Sequence, residues 1–442
     1  MIRAFALAAL VSAAALAQEA APAPAGQRLT LDDAVKLALQ RNPDLQRQVL
    51  LQLSAEQDKV IARSAILPSL GFNASFTDTR QGATAGIVVA GFSLPGQPTS
   101  VFQTWAASAT VRQLVFDGGK WWNNLDVAGL AFASSAAQVD EQRLQITYLV
   151  EQRFYELVRA QRQLAVLTDA AARSRDQADF TQRLFEGGRA TQADVYAARA
   201  NRDNDEIQRL GQERLVELAR ADLALAIGAD PSEPLTVAEP PRLMDNPAQP
   251  PPARDAVAHA LEARPSLKAA GFTLESNRKA ASAAGGDYWP TVSLATGYSR
   301  STADLDTMFS DPTRNSTFYG AVNLSWNVFG GFATTANVRK AEIQALLSEN
   351  DLANARRNVA SDVEKAVAQL STARSQARVA QQAEQTAKEG LRLARTRQEV
   401  GVGTQLEVRD AELKLTQAQL SLVGSLVDGR EAEAALRRAQ GG

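Results

Sequence analysis

The hydrophobic pattern of this chain changes its period twice in each half. Residues from about 31 to 66 and from about 254 to 287 carry helix-forming side chains, with breaks at Pro43 and Pro265, which predicts two helices in each half. Apolar and polar residues then alternate, which is the period of a β-strand. We predict four strands, at about 70–79, 103–116, 291–301 and 317–329, with Gly, Pro and Ser-rich loops at about 80–102 and 302–316.

Heptad patterns follow each pair of strands. Two helical stretches of about 65 to 70 residues are predicted, each close to 100 Å long, and within each stretch apolar residues recur every seven positions. Each series contains one four-residue step, from Ile146 to Val150 and from Val359 to Val363. Such a step is a stutter that locally relaxes a coiled coil, so both helices are predicted to lie in equivalent curved surroundings.

A glycine-bearing turn ends each long helix. These turns lie at about 186–191 and 399–404, and Thr191 and Thr404 are then predicted to cap returning helices of about 35 residues. The pattern therefore predicts two long helical hairpins with the glycines at their tips.

The same elements and many of the same residues occur twice. Asp33-Ala34-Val35 returns as Asp255-Ala256-Val257, 222 positions later, and Thr191-Gln192 returns as Thr404-Gln405, 213 positions later. A single length change between residues 72 and 110 thus relates the two halves, which indicates a duplicated and fused unit. We predict a first repeat at 31–227, a proline-rich connector at 228–253 and a second repeat at 254–440.

The start of the chain is typical of a secretory signal. Arg3 is followed by an apolar run and by the small-residue triplet Ala15-Leu16-Ala17, so residues 1–17 are predicted to be a signal peptide and 18–30 a linker. Later in the chain no apolar run reaches about 18 residues, and no helical membrane span is predicted.

Composition removes several classes of function. The 442 residues include 47 Lys and Arg, 49 Asp and Glu, no Cys and one His, so a basic surface for nucleic acid, a disulfide and thiol chemistry are all excluded. His259 has no second His or Cys to complete a metal site and is interpreted as structural. The sequence contains no catalytic constellation and no phosphate-binding loop, so we expect neither an enzyme nor a cofactor.

In its whole layout the chain resembles the TolC-type outer membrane efflux proteins. The resemblance rests on the duplicated element order, on Phe116-Asp117-Gly118-Gly119 and Phe329-Gly330-Gly331 after the strands, and on the tip patterns Gly188 to Val195 and Gly401 to Val408. It covers essentially all of the chain after the predicted signal.

The resemblance implies a mixed α and β membrane protein. Each chain of a homotrimer would give four strands to one 12-stranded β-barrel, which continues into a long α-helical coiled-coil barrel. The assembly would be an exit duct in outer membrane lipid that extends through the periplasm, contacts a periplasmic adaptor and, through it, serves an inner-membrane pump. Four amphipathic strands cannot close alone, so the sequence itself demands oligomerisation if they enter a membrane.

The resemblance also implies a periplasmic gate at the hairpin tips. Acids that match Glu407 and Asp410 form a ring at the tunnel entrance in that family, and Asp194 is the first-repeat equivalent of Glu407. Alternatively, such acids only complement the helix dipole, and for Asp194 this capping interpretation is favoured. Arg409, between the two gate acids, is expected to pair with them.

Two further groups of residues are predicted to make contacts. The tip glycines would permit close approach of the adaptor, and aromatic residues where strands meet helices would anchor the periplasmic membrane face. The glycines are Gly187, Gly188, Gly401 and Gly403, and the aromatic residues are Trp121, Trp122, Tyr288 and Trp289.

Other classes of protein remain to be distinguished. A secreted trimeric coiled-coil stalk or adhesin-like protein would bury the apolar strand faces and need no detergent, whereas a duct needs them turned outward along the full strand length. A periplasmic adaptor is disfavoured because adaptors carry one helical hairpin and this chain has two.

Overall fold

The computed structural model describes residues 28–89, 91–232, 235–241, 243–310 and 314–442. The predicted signal peptide and most of the predicted linker lie outside these residues. The chain forms two compact units, one made of Met1–Pro43, Gln145–Pro250 and Ala366–Leu436 and the other of Asp44–Leu144, Pro251–Lys365 and Arg437–Gly442. Each unit takes segments from both predicted repeats.

Helices make up most of the described chain. Both long helices contain 67 residues, and the helices that return from their tips contain 35 and 36. In chain order they are α1 Leu31–Arg41, α2 Pro43–Ser64, α3 Lys120–Glu186, α4 Gln192–Ala226, α5 Ala253–Ala263, α6 Pro265–Gly285, α7 Leu305–Ser310, α8 Ala333–Glu399 and α9 Gln405–Gln440. No helix among the described residues is both long and apolar enough to cross a membrane.

The strands are β1 Ser69–Gln81, β2 Ile87–Val89, β3 Phe92–Leu94, β4 Ser100–Phe116, β5 Thr291–Thr302 and β6 Ser316–Ser325. The four long strands form one antiparallel sheet in the order β1-β4-β5-β6. The last strand is shorter than predicted. Its final partner is Thr291, and the preceding Pro290 has no N–H to continue the ladder, so pairing stops at Ser325 and residues 326–329 leave the sheet.

Both predicted loops contain regular structure. β2 and β3 form a small hairpin within 80–102, and the six-residue α7 lies within 302–316. Strands of three residues and a single helical turn are too short to show a period in the sequence, which explains why they were not predicted. In α7, Met308 is buried, so the turn is held by tertiary packing.

The register of the sheet separates its two faces. Phe72, Ala109, Tyr298 and Phe318 are aligned across all four strands and therefore share one apolar face. The opposite face carries mostly Gly, Ala, Ser, Thr and Asn side chains. The apolar face is exposed in the single chain, with Phe72 and Phe318 about three-quarters accessible. The alternation predicted from the sequence is thus confirmed.

Heptad positions are buried in both units. Val150 and Leu157 of α3 and Leu370 of α8 belong to the first unit and Val363 of α8 to the second, and all four are at most 2% exposed. They lie just after the four-residue step in each series, so the stutter falls at the best-buried part of both helices.

The breaks before Pro43 and Pro265 have a second role. In the first unit, Asn42 donates from Nδ2 to the carbonyl of Ala226 at the end of α4, over 3.2 Å. In the second unit, Arg264 donates to the carbonyl of Ala439 near the end of α9, over 3.3 Å. The side chain that precedes each proline therefore donates a hydrogen bond to a carbonyl at the C-terminus of another helix, which would otherwise be buried without a donor.

The residues that precede the two prolines differ in charge. Arg264 and Glu141 form a buried ion pair of 3.3 Å, and the other Glu141 oxygen accepts from the backbone N–H of Ser266 over 3.2 Å. The neutral Asn42 needs no such acid.

Candidate functional site

The first hairpin tip is a tight turn followed by a capping box. Gly188 has φ 72°, a left-handed conformation that favours glycine, and its N–H donates to the carbonyl of Phe185 over 2.9 Å. Thr191 then accepts from the N–H of Asp194, while the Asp194 carboxylate accepts from the Thr191 N–H and hydroxyl over 2.9 and 2.7 Å. These hydrogen bonds hold the pKa of the Asp194 carboxyl below its usual value.

The second tip is built differently. Gly401 has φ 82°, and the N–H groups of Val402 and Gly403 both donate to the carbonyl of Arg397. A Cβ on Gly403 would lie 2.8 Å from the backbone N of Gln398, so this position requires glycine for space. At Gly187, by contrast, the nearest atom to an added Cβ is 3.5 Å away. The predicted tip glycines are therefore not equivalent.

Glu407 and Asp410 each have a basic partner. Glu407 lies 3.5 Å from Arg397, across the hairpin, and Asp410 lies 2.5 Å from Lys414, one turn further along α9. All four side chains are well exposed, so each pair contributes about 0–1 kcal/mol and is readily broken. The N–H of Glu407 also donates to the Thr404 hydroxyl, which confirms the predicted helix cap.

Arg409 does not pair with either of those acids, which corrects the sequence-based expectation. Its guanidinium donates to both carboxylate oxygens of Asp205 in α4, over 2.7 and 2.9 Å. Both side chains are largely buried, at 17% and 7% exposed. This pairing raises the pKa of Arg409 above its usual value. Arg409 points away from Glu407 and Asp410 because the bidentate partner lies on the other side of α9.

Sequence reasoning missed Asp205 as a residue of this region. It lies in the middle of α4, and its partner is 204 positions further along the chain. Its repeat equivalent is Ala418 and that of Arg409 is Tyr196, so the internal repeat also gives no signal for the pair. Only an unexplained acid at a core-facing helical position could have indicated it.

A second ion pair lies next to the pair of Arg409 and Asp205. Arg395 of α8 donates to Glu412 of α9 over 2.8 Å, and Glu412 is 3% exposed. At the equivalent place in the first hairpin, Arg199 donates to Gln182 over 3.2 Å, so the position of the arginine is exchanged between the helices. The tip region is therefore tied by cross-helix polar contacts in both hairpins.

An open groove runs along the α8 and α9 hairpin toward its tip. Its volume is about 930 Å³, and its lining includes five alanines together with Val379 and Leu393, which are both exposed. Arg397, Glu407, Asp410 and Lys414 line its tip end. The groove thus combines an apolar floor with a balanced set of two acids and two bases.

The predicted aromatic anchors cluster where strands meet helices. The ring centroids of Trp121 and Trp122 lie 3.7 Å apart, and Trp122, Tyr288 and Trp289 are exposed. The structure adds Trp326, whose indole N–H donates to the carbonyl of Tyr288 over 3.1 Å. Exposed aromatic rings with a polar edge are typical of membrane interfaces.

His259 is exposed on α5, and no group of three His, Cys, Asp or Glu residues in the described part of the chain could hold a metal ion.

Comparison with known proteins gives the family. The family model of the outer membrane efflux protein matches residues 34–229 and 256–442. Protein CyaE of Bordetella pertussis is 25% identical over 80% of this chain and 72% of its own length, and outer membrane protein OprJ of Pseudomonas aeruginosa is 25% identical over 92% and 83%.

Solved structures show the same fold. The crystal structure of a membrane protein from Pseudomonas aeruginosa superposes with a TM-score of 0.80 at 21% identity, over 93% of both chains. The structure of VceC from Vibrio cholerae superposes with a TM-score of 0.77 at 20% identity, over 93% of this chain and 96% of that one. Because its family model matches nearly all of the described residues, this chain belongs to the outer membrane efflux protein family and is an outer-membrane exit duct.

Proposed function

We propose that this chain is the exit duct of a tripartite efflux or type I secretion system. It conducts substrates passively from a periplasmic adaptor and an inner-membrane pump to the exterior. The observation that carries the proposal is the family match over residues 34–229 and 256–442. The sheet supports it, because one exposed face is apolar, as lipid contact requires, and the other is small and polar, as a water-filled lumen requires.

The working form is a homotrimer. A four-stranded sheet leaves β1 and β6 as open edges, and open edges are not tolerated in lipid. Three copies joined edge to edge would close a barrel of 12 strands above an α-helical barrel. Exposed apolar side chains on the helices supply surface for the neighbouring copies, among them Leu50, Val60, Ile207, Leu218, Ile343 and Leu346.

The gate consists of Glu407 and Asp410. Three copies would bring six carboxylates together, and their repulsion would favour opening, while Arg397 and Lys414 restrain it. Asp194 adds negative charge at the first tip, but its capping box holds it in the turn. Disruption of the exposed pairs by an adaptor would therefore shift the gate toward the open state.

The remaining predicted sites contact other components. Gly187, Gly188, Gly401 and Gly403 form the tips that approach the adaptor. Trp121, Trp122, Tyr288 and Trp289 anchor the barrel at the periplasmic face of the outer membrane, together with Trp326.

Single-channel conductance of the detergent-extracted protein in planar bilayers tests the proposal. We expect a small, steady, cation-selective conductance that changes in size and loses cation selectivity in Glu407→Ala/Asp410→Ala. Glu389→Ala is the matched control, because Glu389 is an exposed acid that is also paired within its helix, to Arg392, and lies outside the gate. An unchanged conductance in the double variant would refute the gate.

The stalk alternative makes an opposite prediction. A trimer that stays soluble without detergent and gives no conductance would overturn the duct. A trimer that requires detergent and conducts would support it, whatever the behaviour of the gate variant.

A further inference from the structure

A cavity lies between α7 and the apolar face of the sheet. Its volume is about 490 Å³, within the usual range of small-molecule sites of about 300–1,000 Å³. Its walls are almost entirely apolar, and they include Phe72, Phe76, Trp105, Tyr298, Met308 and Phe309. Met308 packs inward, whereas the Phe309 ring is 82% exposed beside the cavity. The shape and lining suit a flexible hydrocarbon chain.

One charged group lines this cavity. Arg300 shares the apolar face with Phe76 and Trp105, because its cross-strand partner Ala107 lies on that face. It is only 7% exposed, and its Nη2 donates to the carbonyl of Thr307 in α7 over 2.6 Å. Its Nε has no hydrogen-bond partner among the described residues. A buried guanidinium with an unused donor calls for an anionic acceptor.

The position of Arg300 in the sheet adds a second argument, which rests on the proposed function. β5 starts beside the helices at Thr291 and ends at Thr302, so Arg300 lies near the outer end of its strand. If the apolar face contacts lipid, this arginine faces the outer part of the bilayer. Ionisable residues in that setting are costly and are retained where they have a partner.

We propose that the cavity binds one anionic phospholipid-type amphiphile of the outer membrane. A phosphate oxygen accepts a hydrogen bond from the Arg300 Nε, and an acyl chain lies against Phe72, Phe76 and Trp105. Guanidinium groups match phosphate in both charge and geometry. α7 covers the acyl chain, and the hydrogen bond from Arg300 to the carbonyl of Thr307 holds α7 against the sheet.

Trp105 gives a direct readout, since it lines the cavity. We would insert the full chain into vesicles that contain either dibrominated phosphatidylglycerol or dibrominated phosphatidylcholine and measure quenching of tryptophan fluorescence. Subtraction of the Trp105→Phe signal isolates this residue. The wild type is expected to favour the anionic lipid about tenfold, as a charge-assisted hydrogen bond implies. Addition of inorganic phosphate distinguishes the sources, because a site for free phosphate alone would lose the preference.

Three variants test the role of Arg300. Arg300→Gln is expected to abolish the preference, whereas Arg112→Gln, an exposed arginine on the opposite face, is expected to keep it. Ala107→Phe fills the cavity and leaves the guanidinium in place, so quenching of Trp105 by both lipids should fall.

The outcomes separate the lipid site from the duct. A protein that inserts and conducts but shows no preference in the wild type, or an equal preference in Arg300→Gln, would overturn the lipid site and leave the duct standing. A protein that fails to insert at all would overturn the duct and, with it, the lipid site.

Discussion

Removal of the Asp205 carboxylate is expected to loosen the contact between α4 and α9. The two hydrogen bonds from Arg409 would be lost, and the arginine would remain buried without its partner. Loss of one partner of a buried pair costs about 3–5 kcal/mol. We take about 3 kcal/mol, because Glu412 also lies close enough to interact with Arg409 and would still partly balance the buried charge of the arginine.

Hydrogen exchange measures this change locally. At about 1.36 kcal/mol per factor of ten, the loss corresponds to roughly 150-fold faster exchange in the first turns of α9 and the facing part of α4 in Asp205→Ala. Asp203→Ala is the matched control, since Asp203 is 61% exposed and pairs with the adjacent Arg202. We expect it to change exchange by less than about threefold.

The double variant decides whether the charge or the packing matters. Asp205→Ala/Arg409→Leu removes both charges and fills the space with an apolar side chain, so it should recover most of the lost protection. Exchange in Asp205→Ala no faster than in Asp203→Ala, or a double variant that exchanges as fast as the single one, would refute the reasoning.

Four further substitutions have expected outcomes. Gly403→Ala should destabilise the second tip by about 1–3 kcal/mol because of its clash with the backbone, whereas Gly187→Ala should be tolerated, as proteolysis of the tips would show. Asp194→Asn should weaken the start of α4. Because the pKa of Asp194 is lowered in the folded protein, the wild-type cap should persist as the pH falls to 3.8, the ordinary pKa of the group, and weaken only below that pH. Amide exchange across a pH series would show this. Burial raises the pKa of Glu431 above its usual 4.5, so ionisation of this carboxyl destabilises the folded state as the pH rises through the raised value. Glu431→Gln should therefore raise the melting temperature at pH 7 but not below pH 4.5.

Elements whose hydrophobic pattern repeats several times were predictable from the sequence. The heptads lie within helices of 67 residues and the alternation lies within a strand of 13 residues, so each pattern has room to repeat several times. α7 and the hairpin of β2 and β3 contain too few residues to repeat a pattern, and their formation depends on tertiary contacts that the sequence does not display.

The candidate site was only partly predictable. Thr191 and Thr404 were identifiable as caps because a cap is encoded by neighbours within three residues. The partner of Arg409 was not, because a local rule favoured the acids beside it in the sequence, while the fold supplies a buried bidentate partner from another helix. Glu407 instead pairs across the hairpin with Arg397, a contact that depends on the turn geometry.

The charged break before Pro265 makes the two halves of the chain dependent on each other. Arg264 belongs to the second repeat and Glu141 to the first, whereas Asn42 and Asn354 occupy the corresponding positions and carry no charge. A protein assembled from two copies of the second half would bury two arginines and supply no acid to either. With these paired substitutions in place, neither half can replace the other.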